Sequence, residues 1–502
     1  MSKKGLPNRA LLLQQLRDVC RQGQAENEPI EESPFLRNFL PIQSHYRVLD
    51  PDVRIIIGDK GAGKTQLFRA LEFDRGREAL ANLAASKGQV LHPLAKTAWL
   101  VGFQTSGTEF PPGSVISALA RGKSPVDLQR FWLALLVRVL LQGKILRSDE
   151  IPKPVGEALT SKTWQLGKLD QHIRSGQSSL FAVLDAIDGD LQKDDRYVFV
   201  TYDELDRVSP GDWNALKTIL QGLVQFWAAY GRRWRRLRPK LFLRRDLYQR
   251  AALFGPDIAK IAANRAELLW DIREFYGVVF KRLLNAGQEF FDYLRAARIP
   301  ETTHEALGRI PTPRREDDYG PAVDLLIGEY MGADPRKGLT LRWIPNRLKD
   351  GHGRIYPRPL LRLMEEAAEI EIRDGKASQT SALIHHTALR GGLDKVSDFR
   401  VSELAQEEFP WIEDVRKALE RQSLLVPMQH KEALKALQID WSMVRSRPPY
   451  TDPKDLLDYL VELGIATSRR DGRVDVGDLY LRGLHLKRKG GVARPKQTGS
   501  TR

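Results

Sequence analysis

The stretch GDKGAGKT (58–65) carries the residues best suited to chemistry. Gly58, Gly63, Lys64 and Thr65 fit the spacing G-x-x-x-x-G-K-[ST] of a phosphate-binding loop. Glycines let successive backbone N–H groups turn inward and cradle phosphate oxygens. A helix opening at Lys64 would aim the positive end of its dipole at the same point. Lys64 would reach the β- and γ-phosphates, and Thr65 would offer its hydroxyl to Mg²⁺. The candidate nucleotide contacts are therefore Gly58, Asp59, Lys60, Gly61, Ala62, Gly63, Lys64, Thr65 and Gln66, with ATP and Mg²⁺ as the implied ligands.

Such a loop needs a carboxylate to hold the metal. VFVTYDELD (198–206) places Asp203 at the end of an apolar run, at the sheet edge where ligands gather in open α/β folds. Asp203 is the second metal candidate beside Thr65. Glu204, next in sequence, is placed to polarise an attacking water, which points to hydrolysis rather than binding alone. Asp206 and Arg207 fit a surface ion pair equally well. PKLFLRRDLY (239–248) ends a further apolar run with Arg244 and Arg245. Either could contact a γ-phosphate, here or in a neighbouring subunit, and pairing with Asp246 is the competing account.

These residues need a scaffold. VRIII (53–57), TAWLVGF (97–103), RYVFVTYDE (196–204) and PKLFLRR (239–245) are short, nearly continuous apolar runs, as strands buried on both faces require. Helical spacing fills the intervals, at 65–85, 127–146, 156–190 and 211–231. Alternating strands and helices imply an α/β fold, a parallel sheet with helices on both faces. Strand signals stop near 250, and helices are expected at 261–285 and 356–372. Near the C-terminus, Asp452-Pro453 reads as a helix start and Gly464 as its stop. Asp471-Gly472 then marks a hairpin. Helix followed by hairpin is the ending of a winged-helix unit.

The chain has 502 residues, enough for two to four domains. Lys and Arg number 79 against 64 Asp and Glu, a net charge of +15 that favours polyanionic partners. Cys20 is the only cysteine, which excludes an intramolecular disulfide and a cysteine-based zinc site. The pair His385-His386 reads as structural. The apolar stretch Ala10–Leu13 is too short for a signal peptide, and FWLALLVRVLL (131–141) is too short for a membrane span. The expectation is a soluble, cytoplasmic protein with no membrane partner.

Taken together, these motifs resemble the AAA+/STAND superfamily of P-loop ATPases. GDKGAGKT resembles its Walker A motif, FVTYDE its Walker B motif with a catalytic glutamate, and FLRR its sensor 1 strand. GRIYPRPLLRLMEEA (353–367) is similar to the lid helix of origin-recognition and STAND ATPases, in which a Pro-Arg pair supplies sensor 2. The resemblance assigns that role to Arg358, with Arg362 one turn on. It implies a leader (1–50), a P-loop core (51–260) with a helical insertion at about 105–190, and a helical lid (261–385). A winged helix (386–485) and a disordered basic tail (486–502) follow. Bacterial relatives of this kind often serve anti-phage or mobile-element systems, and the kinship implies such a setting.

Two functions from different classes fit. One is an ATP-driven switch that closes on ATP, reopens on hydrolysis by Glu204, with Lys64, Arg244 and Arg358 assisting, and presents a protein or homo-oligomer interface. The other is a DNA-binding module tuned by ATP, using Arg469, Arg470 and Arg473 at the hairpin, the tail residues Lys487, Arg488 and Lys489, and the run GRRWRRLRPK (231–240). A small-molecule phosphotransferase also uses such a loop, but the lid and winged helix add bulk it does not need.

Overall fold

A computed structural model describes residues 8–23, 27–161, 164–209, 212–249, 263–375, 381–442, 444 and 446–489. The chain divides into two compact units. One holds Arg21–Arg295 and Ile299–Arg315, and the other holds Met1–Cys20, Ala296–Arg298 and Glu316–Arg502.

The first unit is built on five parallel strands, β1 (Ile55–Gly58), β2 (Thr97–Phe103), β3 (Tyr197–Tyr202), β4 (Leu237–Arg244) and β5 (Arg265–Glu267). Their order across the sheet is β2-β3-β4-β1-β5, and every pairing is parallel. Ile55, Ile56 and Ile57 are all fully buried. Successive strand residues face opposite sides, so both faces of β1 are covered. Parallel strands start at one edge and end at the other. The register Gly58↔Arg244 therefore puts the end of β1 beside the end of β4.

Sequence periodicity misses β5. Its three residues, Arg-Ala-Glu, have no apolar run, yet each pairs with β1. The helix expected over 261–285 begins only at Ile272, capped by the Asp271 side chain on the Glu274 N–H at 2.8 Å. Residues 261 and 262 lie outside the described set. A further departure from the expected all-α middle is the antiparallel pair Glu301–His304 and Gly308–Pro311. The helix expected over 65–85 is two helices, Lys64–Glu72 and Asp74–Ser86, because Phe73 is extended (φ −85°, ψ 132°).

Between β2 and β3 lie four helices: Gly113–Ala120, Pro125–Gln142, Lys153–Thr160 and Leu166–Lys193. Ser124 and Asp127 close a capping box at the start of the second. That helix buries Leu128, Phe131, Trp132, Leu135, Leu136 and Leu140 in the core. It packs on the helix Trp213–Tyr230, where the Trp132 indole donates to the Ile219 carbonyl at 3.0 Å.

One buried carboxylate fixes the approach to β4. Asp188, 2% exposed, accepts the backbone N–H groups of Arg235 (2.9 Å), Arg236 (2.6 Å) and Leu237 (2.9 Å). Asp185 alongside takes the Trp234 indole at 3.0 Å. Two acidic residues of the helix Leu166–Lys193 thus hold the turn before β4.

The second unit is mainly helical. Helices Pro357–Asp374 and His386–Glu403 pack closely: a Cβ at Gly392 would lie 3.2 Å from the Leu363 carbonyl oxygen. The helix Arg9–Arg21 joins this unit through Arg9, which donates to the Ala382 and Leu383 carbonyls at 2.8 and 2.7 Å. Near the C-terminus, Asp452 caps the helix Pro453–Glu462, accepting from Lys454 N and Asp455 N at 2.9 and 3.3 Å. Ala466–Ser468 and Val474–Val476 form the antiparallel hairpin. The tail expected to be disordered from 486 begins with order: Lys487–Arg488 pairs in parallel with Leu425–Val426, and Arg488 donates to the Val476 carbonyl at 2.8 Å. The remaining tail, 490–502, lies outside the described residues.

Asp188→Ala strands three buried N–H donors at once. It is expected to cost about 3 kcal/mol of stability, read as an earlier denaturation midpoint in tryptophan fluorescence, with Asp188→Asn losing less.

Candidate functional site

The loop between β1 and the helix Lys64–Glu72 is shaped by its glycines. Gly61 and Gly63 have φ of +84° and +88°, left-handed values that penalise any side chain. A Cβ at Gly58 would sit 3.2 Å from both Ala62 Cβ and Lys64 Cγ, tighter than ordinary contact. The loop is braced from outside by Trp270, whose indole donates to the Ala62 carbonyl at 3.0 Å. Inside it, the Lys64 ammonium donates to the Gly58 and Asp59 carbonyls at 2.8 and 3.1 Å. Burial pushes Lys64 below the usual lysine range, while Asp206 and Asp203 oppose the shift.

Asp203 follows β3 directly and is 2% exposed. Its backbone N–H donates to the Phe103 carbonyl at 3.0 Å, continuing the β2–β3 ladder. Thr65 and Lys64 both lie near enough to its carboxylate to favour the ionised form. Burial raises its carboxyl to about 6, against the pull of the Glu204 N–H, Thr65 and Lys64. Its Oδ2 is buried with no hydrogen-bond partner. A buried orphan carboxylate oxygen beside a threonine hydroxyl is an oxygen donor set that fits Mg²⁺, which takes one or two carboxylates and completes its shell from phosphates and water. No cluster of three or more His, Cys, Asp or Glu occurs among the described residues.

Glu204 adopts a left-handed backbone (φ +53°), uncommon for a residue with a side chain. That turn sends its carboxylate towards the segment after β2. There Oε2 accepts the Thr105 hydroxyl at 2.7 Å and the Ser106 N–H at 3.0 Å. Arg207 approaches the other oxygen at 3.7 Å.

Arg244 ends β4 beside Gly58. Its guanidinium forks onto Asp246 at 3.0 and 2.9 Å and reaches Asp206 at 3.3 Å. Pairing with Asp246 is thus present, and the same side chain also lies within electrostatic reach of Lys64. Arg245 points elsewhere, to Asp59 in the loop at 3.0 Å and to Glu267 of β5 at 2.9 Å. Gln66, the last candidate contact, donates instead to Glu28 at 2.5 Å. Glu28 is also bonded by Arg282 at 2.5 Å, in a buried ion pair.

The loop, Thr65, Asp203, Glu204 and Arg244 thus come together in one unit. Arg358 belongs to the other unit, where it opens the helix Pro357–Asp374 and donates to Glu403 at 2.5 Å. Arg362 pairs with Glu365 and Glu366 at 3.2 and 2.8 Å. Reading the sequence missed Trp270, Thr105, Ser106 and Glu28. No local motif marks them, since each acts across a long sequence separation; a polar Thr-Ser pair just beyond β2 was the one available signal.

A phosphate loop after β1 and a metal-type carboxylate after β3 of a parallel sheet define an α/β P-loop nucleotide-binding fold. Solved structures similar to this chain include the Aeropyrum pernix ORC2 protein (14% identity, TM-score 0.38, covering 95% of this chain and 91% of that one). Others are the Walker-type ATPase PABY2304 of Pyrococcus abyssi (14%, 0.36, 89% and 96%) and Cdc6p from Pyrobaculum aerophilum (15%, 0.28, 97% and 94%). No protein-family model and no curated protein matches the chain.

The raised carboxyl of Asp203 sets a pH dependence. Below about 6 the carboxyl is mostly protonated and a cation must displace that proton, and above it the carboxyl is mostly ionised. Mg²⁺-supported nucleotide affinity is therefore expected to fall as pH drops through about 6, measured by titration calorimetry. Asp203→Asn should flatten that profile.

Proposed function

We propose that this protein is a Mg²⁺-dependent ATPase of the AAA+ type that works as a nucleotide-gated switch. The observation carrying this reading is the convergence of Lys64, Thr65 and the buried Asp203, brought together from two strands that are far apart in sequence. The N–H groups of residues 59–65 would hold the phosphate tail, and Lys64 would exchange its two carbonyl partners for phosphate oxygens. Thr65 and Asp203 would hold Mg²⁺, which supplies charge neutralisation when bound.

Glu204 is the proposed general base. It takes a proton from water as the water oxygen attacks the γ-phosphorus, and ADP leaves with the electrons of the broken P–O bond. Thr105 and Ser106 position its carboxylate. Arg244, beside the loop, is the proposed γ-phosphate contact. Its guanidinium is already bonded to Asp246, so that contact would require exchange of partners. Such exchange is a means by which nucleotide state could change the fold's conformation or its assembly with further copies.

The second reading, DNA binding through the C-terminal hairpin region, keeps only part of its cations free. Arg469 pairs with Asp475 at 2.5 Å, and Arg473 pairs with Asp471 at 2.6 Å. Arg488 is engaged by Asp475 and Asp478. These three arginines are paired within the hairpin region, whereas Arg470, Lys487 and Lys489 are exposed and form no ion pair with a carboxylate among the described residues.

Lys64→Ala is expected to weaken ATP binding by about 10- to 100-fold, measured with a fluorescent ATP analogue. Glu204→Gln should keep binding while lowering turnover by about 10²- to 10⁴-fold, measured as phosphate release. Normal turnover in the glutamine variant would remove Glu204 from the role of base.

A further inference from the structure

The run GRRWRRLRPK is not used by the nucleotide site. The register places it at the other end of the sheet. Thr97 pairs with Tyr197, and Val198 with Leu237, so β2, β3 and β4 start level. The residue before each of these strands is a cation: Lys96, Arg196 and Arg236. Neighbouring strands lie about 4.8 Å apart, so the three positions span roughly 10 Å. Arg54, before β1, joins the same group. Its backbone is further along β4, with Ile55 opposite Leu241, but its guanidinium reaches back to the turn before β4. A Cβ at Gly231 would lie 3.1 Å from Arg54 Nη1.

The carboxylates nearby, exposed Asp194 among them, are fewer than the cations of this edge. Asp195 is shared by Lys96 at 3.2 Å and Arg236 at 3.0 Å. Asp185 serves Arg233, and Asp52 approaches Arg238 at 4.0 Å. Asp188 is spent on backbone N–H groups. Arg54, Arg196, Arg232 and Arg235 form no ion pair with a carboxylate among the described residues, and the last three are exposed. Like charges crowd here at a cost: Arg54 is pushed down to about 10 by burial and by Arg238 and Arg232, with Asp52 opposing. The turn that presents them is not a loose solvated loop, because Asp188 and Asp185 pin it.

We infer that this strand-start edge, opposite the nucleotide loop, is a second binding surface that takes the phosphate backbone of a nucleic acid. All four uncompensated cations are arginines, whose planar fork matches phosphate oxygens bidentately. Arg236 lies 4.3 Å over the Tyr197 ring, so an aromatic face sits among them. Contacts of this kind position a backbone and read no sequence. The inference stands apart from the ATPase reading, since no residue in it belongs to the loop.

The test is fluorescence anisotropy of the full chain with a labelled mixed-sequence DNA duplex over a salt series. The triple variant Arg196→Gln, Arg232→Gln, Arg235→Gln should bind at least about tenfold more weakly, and the slope of log affinity against log salt should shrink by about 2 to 3, given about 0.9 per phosphate contact. Its basal ATP turnover should equal that of the parent chain, which guards against misfolding. Neutralising Arg469, Arg470 and Arg473 should change affinity less than about threefold. The inference is overturned if the edge variant keeps the parent's affinity and slope, if the hairpin variant takes the loss instead, or if the parent chain does not bind DNA at low salt. It is also overturned if polyglutamate displaces the duplex as well as unlabelled DNA does, which would mark the edge as a site for acidic polypeptides.

Discussion

The account depends on a carboxylate that burial keeps from ionising easily. Asp203 lies at the end of β3 with one oxygen lacking any hydrogen-bond partner and with Thr65 and Lys64 beside it. A buried, under-satisfied charge is costly, and proteins keep such groups where a ligand completes them. Everything around it serves its placement. The fully buried isoleucines of β1 fix the loop, the β2–β3 ladder continues through the Asp203 N–H to Phe103, and β4 lies between β1 and β3.

The two edges of the sheet have opposite electrostatic design. At the strand ends, cations are balanced: Arg244 by Asp246 and Asp206, and Arg245 by Asp59 and Glu267. The balance keeps the loop shaped and leaves Lys64 to the loop carbonyls. At the strand starts, arginines outnumber their ion-pair partners, and Asp188 fixes the backbone of Arg235 and Arg236. Parallel strands gather all their starts at one edge and all their ends at the other, so residues that are far apart in sequence become neighbours at each.

Much of this was legible in the sequence. β2 falls over the expected 97–103, since its apolar run coincides with its ladder. Asp452, Gly464 and Asp471-Gly472 mark helix start, helix stop and hairpin because capping and turn chemistry are local. The loop spacing named Lys64 and Thr65, and the apolar run before Asp203 named its partner. What escaped was non-local. β5 is three residues long and two of the three are charged, so its pairing with β1 leaves no periodic trace. Thr105 and Ser106 meet Glu204 only because β2 and β3 are neighbours, and Phe73 interrupts a pattern that otherwise continues in helical register. Which arginines are neutralised depended on partners distant in the chain, and composition alone could not rank the hairpin against the strand-start edge.

The central claim is that the main-chain N–H groups of 59–65 wrap a triphosphate while Asp203 faces them across a cation. Hydrogen exchange of the 58–66 peptide, with and without ATP and Mg²⁺, tests it most directly. The account predicts strong slowing of exchange in this peptide with ATP and Mg²⁺ together. Unchanged exchange there, under conditions where ATP is shown to bind, would contradict it.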